Sequence, residues 1–147
     1  MTRRWCRAVV AGLALGVTGA PAPVSSQDSA ELARARQVLE YYQACERTRH
    51  FAPCWTLLSQ RVQGDWSKQG RGTVAEYALA KGSGATRYSD FRVLQVRRSP
   101  SRVVFVVEAT GDGDKSPLRE RVEYALLREG GQWRIDGLRI GQSEMAP

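Results

Sequence analysis

Three side chains in this sequence are candidates for acid–base work: His50, Asp65 and Asp90. A carboxylate or imidazole removes a proton at neutral pH when burial brings its pKa toward neutrality and a donor stands by the developing oxyanion. Tyr42, Tyr77, Tyr88, Tyr124 and Trp66 supply such donors and are numerous enough to line a small apolar pocket with polar tips, or simply to fill a core. Glu108 completes the carboxylates considered, but its place in an alternating stretch points it at solvent or at a cross-strand arginine. His50 is the only histidine, so no Ser/His/Asp arrangement can be assembled around a second base. The glycines at 64–72 and 111–113 do not run from a strand into a helix, and no nucleotide-phosphate loop is expected.

Cys45 and Cys54 flank His50, but zinc wants four ligands, or three and a water, and no second Cys/His cluster follows. A disulfide is the expectation, with no metal and no cofactor. It would join two consecutive helical segments at their corner and stabilise the fold by about 2.5–3 kcal/mol through lost chain entropy.

Arg97, Arg98 and Arg102 bracket the turn Ser99-Pro-Ser101 and are expected to form a basic surface patch for an anionic polymer, lipid or acidic partner. No aromatic residue interleaves with them, so nucleic acid is not an expected partner.

Charge over the chain sharpens this reading. The 147 residues carry 22 Lys+Arg against 15 Asp+Glu, a net charge of +7. Arg3, Arg4 and Arg7 precede an apolar run of about 13 residues and the small-residue stretch Ala20 to Ser26. Basic, apolar, then small is the order of a secretory signal peptide, and the run is too short to span a bilayer needing roughly 20 residues. Residues 1–26 are therefore expected to be a signal peptide, with cleavage after Ser26. Thr2-Arg3-Arg4 leaves general and twin-arginine export both open. Removing 26 residues and their three arginines leaves residues 27–147, 121 residues of net charge +4, expected to form one domain, periplasmic or secreted. Two cysteines remaining in an exported chain suit a bridge.

The elements that must position these residues follow from periodicity. Asp28 with Glu31 reads as a capping box opening a helix over about 29–47, with Leu32, Ala35, Val38, Leu39, Tyr42 and Cys45 at helical spacing. A shorter helix is expected from Pro53 to about Arg61, a glycine-rich loop over 63–72, and a helix opened by the capping box Thr73/Glu76 and stopped at Gly82. The period then changes to two. Strands are expected over 87–98, 102–110, 118–128 and 132–140, with a phase slip at Val93-Leu94, a hairpin turn at Glu129-Gly-Gly131 and a frayed tail from Ser143. In this parity Asp90 sides with Tyr88, and Asp136 lies opposite Trp133 and Ile135. Helices followed by meandering strands predict an α+β fold, with N-terminal helices packed on a curved, mostly antiparallel four-stranded sheet.

Three stretches resemble the nuclear transport factor 2-like superfamily, a cone-shaped α+β fold: Val38-Leu-Glu-Tyr-Tyr42, Trp55-Thr-Leu-Leu-Ser59 and above all the closing hairpin Tyr124-Ala-Leu-Leu-Arg-Glu-Gly-Gly-Gln-Trp-Arg-Ile-Asp-Gly137. The likeness spans about residues 29–140 and is greatest to exported bacterial members of unknown function. It implies one of two activities. The first is a non-catalytic binding domain for a small apolar ligand or an envelope protein. The second is a small isomerase, dehydratase or cyclase using Asp90 or Asp65. It also implies pairing into a homodimer through the open sheet face. Fold alone does not choose among these.

Overall fold

The computed structural model describes residues 25–145. The stretch read as a signal peptide lies outside these residues, apart from its last two, Ser25 and Ser26. Those two open the first helix, α1 (Ser26–Thr48). The cap is Ser25, whose hydroxyl accepts from the Asp28 amide, and not the expected Asp28. Ala35, Leu39, Tyr42, Gln43, Cys45 and Glu46 form the buried face of α1. The helix ends at Arg49, a non-glycine residue at φ 61°. Its guanidinium donates to the carbonyls of Thr86, Gly82 and Gly84, which ties the end of α1 to the segment 82–86 and offsets the strained backbone.

A 3₁₀ turn follows at Ala52–Leu57, shorter and tighter than the expected helix from Pro53. Cys45 and Cys54 are bonded, their Cα atoms 6.5 Å apart, and the bridge pins this turn to α1. The expected loop over 63–72 is a correction: helix α2 (Gln60–Lys68) occupies its first half. Ser59 caps it by accepting from the Val62 amide, and Asp65 pairs with Arg61 and Lys68 one turn away on either side. Val62 and Trp66, four residues apart, lean on the core. Helix α3 (Val74–Gly82) has the expected box, Thr73 and Glu76 each bonding the other's backbone amide.

Strands β1 (Arg87–Ser99), β2 (Arg102–Asp112), β3 (Pro117–Glu129) and β4 (Gln132–Met145) form an antiparallel meander in the order β1-β2-β3-β4. The fold is α+β, as the sequence predicts. Val103, Phe105, Val107 and Ala109 on β2 and Val122, Tyr124 and Leu126 on β3 make the inner face, which packs on α1, the 3₁₀ turn and α3. The expected slip at Val93-Leu94 is a bulge: Val93 faces Val107, Gln95 faces Val106, and Leu94 is the extra residue. Gly130 and Gly131 close the β3–β4 hairpin at φ 58° and 79°. Gly111 is needed for another reason, since a Cβ there would collide with the Arg87 carbonyl. The tail is also a correction, because β4 continues to Met145, paired in register with Leu118. Among the described residues no helix is long and apolar enough to cross a membrane.

Candidate functional site

The tyrosines proposed as pocket lining converge from four elements, and most of them fill the interior. Tyr42 from α1, Tyr77 from α3 and Tyr124 from β3 are each 2 % exposed or less. Tyr42 meets Tyr124 edge-on at 6.1 Å between ring centroids, and Tyr77 packs against Trp55 and Trp66 at 5.3 and 5.2 Å. Tyr88 from β1 is half-buried over Phe91 and donates from its hydroxyl to Glu120 Oε2 at 2.6 Å. Burial holds all four phenols neutral. Tyr77 is pushed up to about 12, and the nearby Tyr42 hydroxyl pulls it partly back, although the two fall short of hydrogen-bond geometry. Tyr42 is raised by burial and then by Tyr77 and Glu46; Tyr88 by burial and then by its bond to Glu120; Tyr124 by burial and then by Glu46. Such phenols are donors and packing groups, not bases.

Glu46 is the carboxylate shared by these environments. It is buried on α1 and receives Lys81 Nζ from α3 at 2.8 Å. The same ammonium lies over the rings of Phe51 and Tyr42. Glu46 was readable as part of the buried stripe of α1, seven residues after Leu39. Glu120 was readable too, since it shares strand parity with Val122, Tyr124 and Leu126. Neither is among the acids considered from the sequence, where Asp90, Glu108 and Asp136 on strands and Asp65 in an expected loop are weighed.

The three candidate bases are not brought together. His50 is exposed at the end of α1. Asp65 sits on α2 rather than in a loop, its carboxylate 3.0 Å from Arg61 and 3.4 Å from Lys68. Asp90 corrects the parity argument. Tyr88 faces Gly111 while Asp90 faces Thr110, so Ser89 is an extra residue and Asp90 emerges exposed on the outer face. Glu108 pairs with Arg92 at 2.9 Å on that face, as expected.

The arginines around the Ser99-Pro-Ser101 turn do not form a free basic patch, which corrects that expectation. Arg97 pairs with Glu123 at 2.7 Å and Arg102 with Asp136 at 3.3 Å on the outer face. Arg98 points to the opposite face, 3.8 Å from the Asp28 carboxylate and 3.2 Å from its carbonyl. Alternation along a strand separates neighbours that look like one cluster in sequence.

Asp136 faces opposite to Trp133 and Ile135, in line with its parity, yet it is buried. Leu126 pairs with Ile135 and Ala125 with Gly137, so Asp136 is the extra residue of a bulge. Its carboxylate accepts from Ser59 Oγ at 2.8 Å, Arg61 Nε at 3.1 Å and Arg102 Nη1 at 3.3 Å, and the Arg61 guanidinium also donates to its carbonyl. Nothing in the sequence near Asp136 announces Ser59, 77 residues away, as its partner.

Outside the core, a groove of about 530 Å³ runs between α1, the 3₁₀ turn and the β3–β4 hairpin. Val38, Tyr41, Leu57 and Trp133 give it apolar walls, and Arg34 and Arg134 give it cations. Among the described residues no group of three or more His, Cys, Asp or Glu is placed to hold a metal.

No family model and no curated protein sequence matches this chain. Among solved structures it is similar to a SEC-C motif containing protein from Rhodopseudomonas palustris, with a TM-score of 0.52 and 11 % identity. The alignment covers 69 % of this chain and 74 % of the other. At that identity the likeness is one of fold.

Proposed function

We propose that this chain is an exported, non-catalytic binding domain of nuclear transport factor 2-like architecture. The observation that carries the reading is how the aromatic residues are used. Tyr42, Tyr77 and Tyr124 pack against one another and against Trp55 and Trp66 in the core, while His50, Asp65 and Asp90 lie at the surface or in ion pairs. The basic-apolar-small order of residues 1–26 and the buried Cys45–Cys54 bridge support export. The test is to express the full chain with its leader in a bacterial host. The exported protein should have lost about 26 residues and two hydrogens by intact mass, and should bind a partner saturably without converting it. An uncleaved leader or two free thiols would contradict export.

One observation favours a second reading. Glu120, nearly buried, lies within hydrogen-bond reach of Tyr88, the pairing that an isomerase or dehydratase of this architecture requires. Under that reading Glu120→Gln abolishes turnover of an enolisable ketone while the far-ultraviolet circular dichroism stays unchanged. If the purified protein turns over no such ketone, this reading falls.

A further inference from the structure

We propose that the groove between α1, the 3₁₀ turn and the β3–β4 hairpin receives an acidic peptide segment of a partner protein, with an aliphatic or aromatic side chain beside the acid. This rests on the binding-domain reading and names its surface. Arg34, Val38 and Tyr41 form an i, i+4, i+7 stripe along the flank of α1, where Val38 touches the edge of the core, and Leu57 and Trp133 complete the apolar floor. Tyr41 is 54 % exposed, a large aromatic left in water beside an indole. Tyrosine, tryptophan and arginine together, with no lysine and no acid in the lining, is the composition of the energetic centre of protein interfaces rather than of ordinary surface.

The charge of the groove selects the partner. Arg134 Nη1 donates to the Thr56 carbonyl, and Nη2 donates to Gln132 Oε1 at 2.6 Å. Both acceptors are neutral, and among the described residues no carboxylate pairs with this guanidinium, Glu129 in the adjacent pocket included, so it is held in place with charge to offer. A fixed fork of this kind suits a carboxylate. Arg34, at the other end, is 67 % exposed and shares the Glu31 carboxylate with Arg128.

The neighbouring groove at the start of α1 makes the contrast. It holds Arg98 and Arg128, but Asp28 and Glu31 lie in the same lining and pair with them. That site has both acids in its lining, whereas the lining of the groove at Arg134 has none: Glu31 lies behind its other end, paired with Arg34 and accepting from Trp133 Nε1, and the positive charge is concentrated at Arg134. Its size suits a few residues of chain with one side chain inserted.

Random peptides displayed on phage and panned against the full exported protein provide the test. Enriched sequences should place Asp or Glu next to an aliphatic or aromatic residue. Affinity of a selected peptide should fall about tenfold or more with Tyr41→Ala and with Arg134→Gln, and stay unchanged with Arg98→Gln. Tyr41→Ala guards against a folding artefact, since so exposed a ring holds little of the core. Basic or neutral enriched peptides, or affinity unchanged from the unaltered protein in both groove variants, would overturn the groove and leave the binding-domain reading standing. Panning that enriches nothing would overturn the groove as a peptide site, while the binding-domain reading stands or falls on saturable binding by the exported protein.

Discussion

Removing the Asp136 carboxylate tests the tie between helices and sheet. In Asp136→Ala the Ser59 hydroxyl, fully buried, loses its acceptor at 2.8 Å. A buried donor left unpaired costs about 1–3 kcal/mol. Arg61 and Arg102 lose partners as well, but their side chains are 59 % and 50 % exposed and rehydrate, so each contributes only about 0–1 kcal/mol. The expected loss is about 2–3 kcal/mol, or a fall in Tm of roughly 8–12 °C for a domain of this size. Asp136→Asn keeps an acceptor for Ser59 and forfeits only the charge, so it should lose about 1 kcal/mol. Urea unfolding at neutral pH, followed by circular dichroism, measures both. A double-mutant cycle with Ser59→Ala should return a coupling of at least about 0.5 kcal/mol, because both groups share one bond. If Asp136→Ala lies within about 0.5 kcal/mol of the unaltered protein, or Asp136→Asn does as much damage as alanine, the tie has no energetic meaning and the argument from burial fails.

Three further outcomes follow from the same structure. Replacing Cys45 and Cys54 with serine together should lower the unfolding free energy by about 2.5–3 kcal/mol, read by chemical denaturation without reductant. Burial raises Tyr77 to about 12 against about 10 for an unfolded tyrosine, so the folded state keeps that proton longer. The stability this represents is whole below about pH 10 and disappears as pH climbs to about 12, so phenolate absorbance from the buried tyrosines should appear together with unfolding rather than before it. Arg49→Ala frees three carbonyls and should cost about 1.5–2 kcal/mol, whereas Arg49→Gly, which suits φ 61°, should be milder by about 0.5–1 kcal/mol in thermal unfolding.

What was legible in the sequence is what local periodicity controls. The buried stripe of α1, the capping box at Thr73 and Glu76, and the inward run of Val103, Phe105, Val107 and Ala109 each follow from spacing alone. Helix α2 was hidden because Gly64, Gly70 and Gly72 resemble a loop, while the signals for a helix were the Ser59 cap and the ion pairs of Asp65. The candidate site was less legible because bulges decide it. One extra residue at Ser89 turns Asp90 outward, and another at Asp136 lets a carboxylate settle between two arginines from distant segments. The arginine patch dissolved for the complementary reason. Each of Arg97, Arg98 and Arg102 finds an acid that is remote in sequence, and no local pattern records such a pairing.

The five tyrosines offer the most direct test of a binding domain with a packed interior, because Tyr41 lies in the groove, Tyr42, Tyr77 and Tyr124 lie inside and Tyr88 is half-buried against them. With every tyrosine labelled with carbon-13 at Cζ, nuclear magnetic resonance spectra of the full exported protein are recorded as a selected acidic peptide is added. The Tyr41 resonance should move with saturation while those of Tyr42, Tyr77, Tyr88 and Tyr124 hold still. Movement of Tyr88 and Tyr124 with Tyr41 unmoved would place the ligand inside and contradict this expectation.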